Sequence, residues 1–322
     1  MSLSVLDQSP IPEGSTSGDA LRNSIDLARL AEDLGYARYW VAEHHGTPAL
    51  ACASPEVLIG PIAAATSRIR VGSGGVMLPH YSPLKVFESF RMLAGLYPGR
   101  IDLGIGRAAG TSSKVALALQ RDRRQRAPDD FREQLDELLS YLEVEPGAQP
   151  ATRPIAQPTL LGSSPQSAIW AAELGLPYVY ADFINSDGIE IAAYYRRHFK
   201  PSNWVAAPRV GVALWAICAE TDEEALRLSL SSRMLMLLLY RGQSIAVPAV
   251  ERAQRFLDEE GVPPETLPIG RRFITGSPGS VHTAIENLAG QYGAEEVFLV
   301  NIMHDHAARR RSHELIAREF RI

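Results

Sequence analysis

Short β-rich runs alternate with helical patterns along the whole chain, and this alternation limits the possible folds more than any other feature. The eight runs are Leu3–Leu6, Tyr39–Ala42, Ile69–Ser73, Ile101–Ile105, Thr159–Leu161, Tyr178–Ala181, Val210–Ile217 and Val297–Ile302. Strands separated by helices favour parallel pairing. With 322 residues, eight such strands predict an α/β fold, a TIM (β/α)8 barrel in one domain covering residues 1–322, rather than an open doubly wound sheet.

Serine followed by proline recurs where helices are predicted to begin. The four pairs are Ser54-Pro55, Ser82-Pro83, Ser164-Pro165 and Ser277-Pro278. Each predicts a serine side chain capping the helix, followed by a ring already fixed at a helical φ. Two connections, residues 107–158 and 221–272, are longer than a minimal barrel needs. We therefore predict insertions after strands 4 and 7, which form either a lid or a packing and dimer surface.

Charge and composition exclude several classes of partner. A formal net charge of -5 and a pI near 5.9 give no electrostatic footprint for nucleic acid or for an anionic membrane surface. The sequence shows no apolar run long enough to span a bilayer and no secretory leader, so we expect a cytoplasmic protein. Cys52 and Cys218 are too few and too far apart for a disulfide framework, and we expect buried thiols.

The second strand runs directly into Glu43-His44-His45. Because side chains alternate along a strand, Glu43 and His45 are expected to point one way and His44 the other. The two histidines are therefore poor partners for one metal ion, and no H-x-H or H-E-x-x-H spacing supplies another ligand. Acid/base or hydrogen-bonding chemistry and a purely structural role both stay open.

Small residues and possible anion-binding groups follow the next three strands. Gly74 and Gly75 allow close approach of a flat ligand, or a β-bulge. Arg107, just beyond strand 4, is suited to a phosphate, a carboxylate or a surface ion pair. The helix start that carries Ser163, Ser164 and Ser167 is suited to an anion beside Arg107. A rival helix start at residues 276–280 lacks such an arginine and ranks second.

Together these stretches resemble the luciferase-like flavin monooxygenases, the family that includes bacterial luciferase. The motifs that carry the resemblance are Glu43-His44-His45, Val71 to Gly75 with Leu78-Pro79, Gly99-Arg100 with Gly106-Arg107, and Ser163-Ser164 with Ser167 to Ala172. The order and spacing of these motifs indicate the family more specifically than any single motif does. The opening residues 3–10 and the stretch 107–111 resemble bacterial oxidoreductases known only as luciferase-like.

The resemblance implies a TIM barrel that binds FMN at its C-terminal face, usually as reduced FMN supplied by a separate NAD(P)H:flavin reductase. Matched residue by residue, Arg107, Ser163, Ser164 and Ser167 correspond to the phosphate segment. Gly74 and Gly75 correspond to the backbone beneath the isoalloxazine, joined by a non-prolyl cis peptide. His44 corresponds to the catalytic histidine, and we place Glu43 with it in the catalytic site. We also expect a homodimer.

The resemblance implies that reduced FMN reacts with O2 to give a C4a-peroxyflavin, which oxygenates a small organic substrate. Departures from luciferase argue against light emission, because Gly106 replaces a cysteine, Ser163 an acidic residue and Gly74-Gly75 two alanines. Other branches of the superfamily use the deazaflavin F420, but the phosphate segment favours FMN. The alternatives are an F420-dependent hydride-transfer oxidoreductase and a flavin-binding subunit without turnover. No pattern identifies the substrate.

Overall fold

A closed barrel of eight parallel strands forms the centre of the protein. The computed structural model describes residues 1–107, 113–119, 129–143, 156–268 and 270–322. The barrel strands are β1 (Ser2–Asp7), β2 (Arg38–Val41), β3 (Arg70–Met77), β4 (Ile101–Gly106), β5 (Gln157–Gly162), β6 (Tyr178–Ala181), β7 (Val210–Cys218) and β9 (Glu296–Val300). Each of β1 to β6 pairs with the strand that follows it in the sequence, and β9 closes the ring by pairing with both β7 and β1. The predicted TIM barrel is confirmed.

A ninth strand, β8 (Phe273–Gly276), was not predicted. β7 pairs with β9 from Gly211 to Trp215 and with β8 from Trp215 to Cys218. β8 therefore extends the hydrogen bonding of β7 beyond the closed ring of eight strands. Its four residues are too short for a period-2 pattern to be recognised, and two arginines precede it. The ring of Phe273 stacks on that of Trp215 with centroids 4.1 Å apart.

Helices surround the barrel, and the main apolar cores lie inside the barrel and between its strands and the helices. The helices are α1 (Ser17–Leu34), α2 (Pro55–Ala65), α3 (Pro83–Leu96), α4 (Ser113–Leu119), α5 (Phe131–Glu143), α6 (Pro165–Leu174), α7 (Ile189–His198), α8 (Asp222–Tyr240), α9 (Val250–Glu259), α10 (Pro278–Tyr292) and α11 (His306–Phe320). One core lies between strands and helices, and the other fills the barrel with alternate strand residues such as Leu6, Trp40 and Phe298. Within the described ranges, no helix combines the length and apolarity needed to cross a bilayer.

The four Ser-Pro pairs mark helix starts, as predicted, but the predicted serine caps are wrong. α2, α3, α6 and α10 each begin at the proline, yet in none of these four helices does the side chain of the preceding serine accept a hydrogen bond from a backbone N–H of the helix. Proline has no N–H, so it leaves fewer unpaired donors for a cap to satisfy. By contrast, Thr16 and Asp305 do cap the helices α1 and α11, which begin without proline.

Both predicted insertions are present. The connection after β4 carries α4 and α5, but residues 108–112, 120–128 and 144–155 lie outside the described residues, and with them most of the stretch 107–111 quoted for the resemblance. The connection after β7 carries α8, α9 and β8, and α8 packs against both α9 and β7. Cys52 and Cys218 are buried free thiols, which confirms that prediction.

Candidate active site

Two adjoining cavities open at the carboxyl ends of the barrel strands. The smaller cavity has a volume of about 360 Å³, and its lining includes all six predicted cofactor residues: Gly74, Gly75, Arg107, Ser163, Ser164 and Ser167. The larger cavity has a volume of about 520 Å³ and is lined by His44 and His45, by Gln8 and Trp215, and by residues of α8. Phe183 and Ile184, which follow β6, line both cavities and so form a shared wall.

The Gly74–Gly75 peptide is cis, as the resemblance implied. The pairing of β3 with β4 shifts register between Ser73 and Val76, so the bulge considered from the sequence is also present. A Cβ on Gly75 would lie 2.8 Å from the carbonyl oxygen of Gly104, and a Cβ on Gly74 would lie 2.3 Å from Leu6 Cδ1. The backbone around Gly75 therefore leaves no room for a side chain, and a side chain at Gly74 would have to displace that of Leu6. The two glycines leave bare backbone along the smaller cavity.

Arg107 lines the smaller cavity and also makes an ion pair at the surface. Its Nη2 donates to Asp129 Oδ2 at 2.8 Å, and its guanidinium carbon lies 5.3 Å from the centre of the Trp170 ring. The contact with Asp129 uses one nitrogen of a group that carries five N–H donors. The surface ion pair considered from the sequence is thus present, and the anion site at Arg107 stays a prediction.

The serines lie beside Arg107 because β4 and β5 are neighbours in the barrel. Ser167 is buried, donates to the carbonyl oxygen of Ser164 at 2.7 Å and lies 3.0 Å from the hydroxyl of Tyr178. Ser164 is exposed at the start of α6, and its hydroxyl caps no helical N–H. An incoming anion would therefore meet Arg107 and Ser164 first, while Ser167 supports the turn from inside.

The rival helix start at residues 276–280 already holds an anion of the protein itself. Asp222 Oδ1 accepts from the backbone N–H of Ser277 at 2.6 Å. Hydrogen bonds from Ser277 and Ser280 lower the pKa of Asp222, so the carboxylate is charged at neutral pH. This occupancy by Asp222 agrees with ranking the α6 start first.

Glu43 is almost fully buried and accepts hydrogen bonds on both oxygens. Its Oε1 accepts from His45 Nε2 at 2.7 Å and from the Tyr81 hydroxyl at 2.8 Å, and its Oε2 accepts from the backbone N–H of Met77 at 2.9 Å. Burial and the nearby Glu43 raise the pKa of Tyr81, so this hydroxyl stays a donor. Glu43 and His45 therefore meet, as their predicted common direction implies, although His45 lines the larger cavity together with His44 and Glu43 lines neither cavity.

His44 lines the larger cavity and differs from its neighbour in having an unsatisfied ring nitrogen. Its Nδ1 is buried and has no hydrogen-bond partner among the described residues, while its backbone N–H donates to the carbonyl oxygen of Cys52 at 2.8 Å. Burial, and to a smaller extent the adjacent His45, lowers the pKa of His44 to about 4. The imidazole is therefore neutral at pH 7, and one of its nitrogens can accept a proton.

Several lining residues had no role in the sequence interpretation. Trp170 and Phe131 line the smaller cavity, and the centroids of their rings lie 5.2 Å apart. Trp170 belongs to the motif from Ser167 to Ala172 that carries the family resemblance, but it was given no role of its own. Gln8 directly follows β1, so its position after a strand end could have identified it as a residue of the site. Arg271 and the wall formed by α8 gave no such signal, because they belong to an insertion that folds back over the barrel.

The comparisons with known proteins agree with this geometry. The model of the luciferase-like monooxygenase family matches residues 1–290. YwcH, an uncharacterized protein of Bacillus subtilis (strain 168), is 43% identical over 99% of both chains. An N-acetyl-S-alkylcysteine monooxygenase of the same organism is 36% identical over 98% of this chain and 97% of its own. The crystal structure of apo-MsnO8 superposes with a TM-score of 0.92 at 42% identity, covering 99% of this chain and 98% of that one. The chain therefore belongs to the luciferase-like monooxygenase family.

Proposed function

We propose that the protein is a flavin-dependent monooxygenase that uses reduced FMN and O2 to oxygenate a small organic substrate. The observation that carries this proposal is the adjacency of the two cavities. One gathers the six predicted cofactor residues, and the other, across Phe183 and Ile184, is lined by the neutral His44. A cofactor in the first cavity and a substrate in the second would meet at that shared wall.

The smaller cavity fits FMN in its chemistry. Arg107 and the hydroxyl of Ser164 would hold the phosphate at the exposed end, where a guanidinium and a helix start both favour an anion. The backbone of Gly74 and Gly75 would lie along the ring system, because no side chain covers it there. Bound reduced FMN supplies the electrons that activate O2, and the protein supplies binding, orientation and exclusion of water.

His44 is the residue that we propose to move a proton. Its neutral imidazole faces the larger cavity, so it can accept a proton from a bound substrate or return one. Glu43 was predicted in the same catalytic role, but its three hydrogen bonds fix His45, Tyr81 and the backbone of Met77. We therefore propose that Glu43 is a positioning residue, which joins the end of β2 to the end of β3.

The partners follow from the same proposal. The chain carries no dinucleotide fingerprint, so reduced flavin would come from a separate NAD(P)H:flavin reductase. We also propose a homodimer, because α2 and α3 expose apolar side chains: Val57 is 70% exposed, Met92 67% and Leu96 68%. Light scattering across a dilution series tests this, and a monomer at micromolar concentration would contradict it.

Anaerobic titration with reduced FMN and, in parallel, with reduced F420 tests the cofactor and the reaction class. We expect tight binding of reduced FMN, weaker binding of reduced F420, and fast reoxidation of bound flavin when O2 is mixed in. A preference for F420 would move the protein to hydride transfer. Tight flavin binding whose reoxidation by O2 matches that of free flavin would support a binding subunit without turnover.

A further inference from the structure

Among the described residues, the wall of the larger cavity contains an arginine and no carboxylate. The guanidinium of Arg271 donates from Nη1 to the carbonyl oxygen of Phe183 at 2.7 Å, and the side chain is half-buried. Among the described residues, no aspartate or glutamate forms an ion pair with Arg271, and burial lowers its pKa without removing the charge. A half-buried charge without an opposite charge beside it is unfavourable, and an anion bound next to Arg271 would relieve that cost.

Two further groups in this wall are donors without acceptors. Gln8 is 3% exposed and Trp215 is 2% exposed, and both line the larger cavity. The amide Nε2 of Gln8 and the indole Nε1 of Trp215 are buried and have no hydrogen-bond partner within the part of the chain that the structure describes. Buried polar groups in native proteins are nearly always paired, so two unpaired donors in the wall of one cavity point to acceptors that a ligand brings.

The remaining wall sets the character of the rest of that ligand. Leu50, Leu235, Met236, Val300 and Ile302 contribute apolar surface. Although Thr47, Gln243 and Ser244 add polar groups, this surface favours a ligand with an aliphatic or aromatic body over a highly charged one such as a sugar phosphate. The wall therefore combines one cation, two unpaired donors and an apolar lining.

We propose that the larger cavity binds a small organic carboxylic acid, whose carboxylate pairs with Arg271 and whose apolar body lies along α8 and the ends of β9 and β2. Acceptor atoms of this acid take the hydrogen bonds offered by Gln8 and Trp215. That the acid is the molecule oxygenated rests on the proposed function. Binding of the acid does not, because it needs neither flavin nor oxygen.

Calorimetric titration of the flavin-free protein with octanoate and with octanamide tests the proposal in the wild type. The two probes share length and apolar body and differ in charge. We expect octanoate to bind at least about tenfold more tightly, as a charged pair replaces a neutral contact. Equal affinities, or no binding of octanoate at millimolar concentration, would overturn the proposal.

Arg271→Met locates the carboxylate, with Arg252→Met as the matched control, because Arg252 is an exposed arginine paired with Glu13 away from the cavity wall. We expect Arg271→Met to abolish the preference for octanoate and Arg252→Met to keep it. A preference that survives Arg271→Met but is lost in Arg107→Met would place the acid in the smaller cavity and overturn the proposal.

Titration of each variant with reduced FMN separates this inference from the proposed function. We expect Arg271→Met to bind reduced FMN as the wild type does. If octanoate is not preferred while reduced FMN still binds and is reoxidised rapidly, the inference fails and the monooxygenase proposal stands. If octanoate binds at Arg271 while reduced FMN does not bind, the inference stands and the monooxygenase proposal fails.

Discussion

The two cavities share a wall, but they are made from different kinds of structure. The smaller one is formed mainly by the ends of β3 to β6 and the start of α6, with Phe131 from the insertion after β4. The larger one takes Leu235, Met236 and Arg271 from the insertion after β7. The barrel thus supplies most of the smaller cavity, whereas an addition to the barrel supplies much of the larger one.

They also differ in how their polar groups are satisfied. In the smaller cavity Ser167 and Arg107 already have protein partners, so that side is preorganised. In the larger cavity Gln8, Trp215 and His44 each keep a buried nitrogen unpaired. Under the two proposals, the cofactor would therefore meet groups that are already held in place, whereas the acid would bring partners to groups that lack them.

Replacing His44 by alanine is expected to have the largest effect on activity and to distinguish the roles of the two cavities most clearly. Loss of a proton-transfer group typically slows a reaction by about 10²–10⁴-fold. We expect substrate oxygenation to fall within that range and the affinity for reduced FMN to change little, since His44 lines only the larger cavity. His198→Ala, at the exposed end of α7, is the control. An unchanged product yield in His44→Ala would contradict the assignment.

Replacing Arg107 by alanine is the complementary test for the smaller cavity. Hydrogen bonds to charged groups contribute about 1.5–3 kcal/mol, so FMN affinity should fall at least about tenfold, and riboflavin affinity much less. Arg241→Ala is a matched control, because Arg241 also pairs with a carboxylate, Glu260, and lies over an aromatic ring, Phe256. Equal losses for FMN and riboflavin would remove the phosphate assignment.

Gly75→Ala tests whether bare backbone is required beneath the smaller cavity. The new Cβ would lie 2.8 Å from the backbone oxygen of Gly104, which cannot rotate away. We expect a loss of about 1–3 kcal/mol in the free energy of unfolding, measured with urea. Gly95→Ala in α3 meets no atom within 4 Å and should leave the stability equal or higher. Equal stability of Gly75→Ala and wild type would show that Gly104 can move.

The larger cavity should also leave a signature in the pH dependence of stability. The pKa of His44 is about 4 when folded and 6.5 without burial. Between these values the unfolded chain binds a proton that the folded chain does not, so stability falls as pH drops from 6.5 towards 4. We expect His44→Gln to reduce the slope of unfolding free energy against pH by roughly 1 kcal/mol per unit near pH 5. Parallel curves would mean that His44 is charged when folded.

The barrel and the residues of the smaller cavity could be predicted from the sequence because both depend on local patterns. Strand ends bring Gly75, Arg107 and Ser164 to one rim once the strands are parallel, whatever the loops do. The approach of Arg271 to Phe183 could not be predicted, since it depends on how a connection of some fifty residues folds back. Nor could the occupation of the α10 start by Asp222, which lies 55 residues away in sequence.

The segment that follows β6 has one more consequence. Phe183 and Ile184 line both cavities, and Phe183 is tied by its carbonyl oxygen to Arg271. Any displacement of these side chains by a molecule on one side changes the space available on the other. Under the two proposals, the affinities for the cofactor and for the acid would be thermodynamically linked through this wall. The linkage would be reciprocal, because the factor by which the cofactor changes the affinity for the acid equals the factor by which the acid changes the affinity for the cofactor.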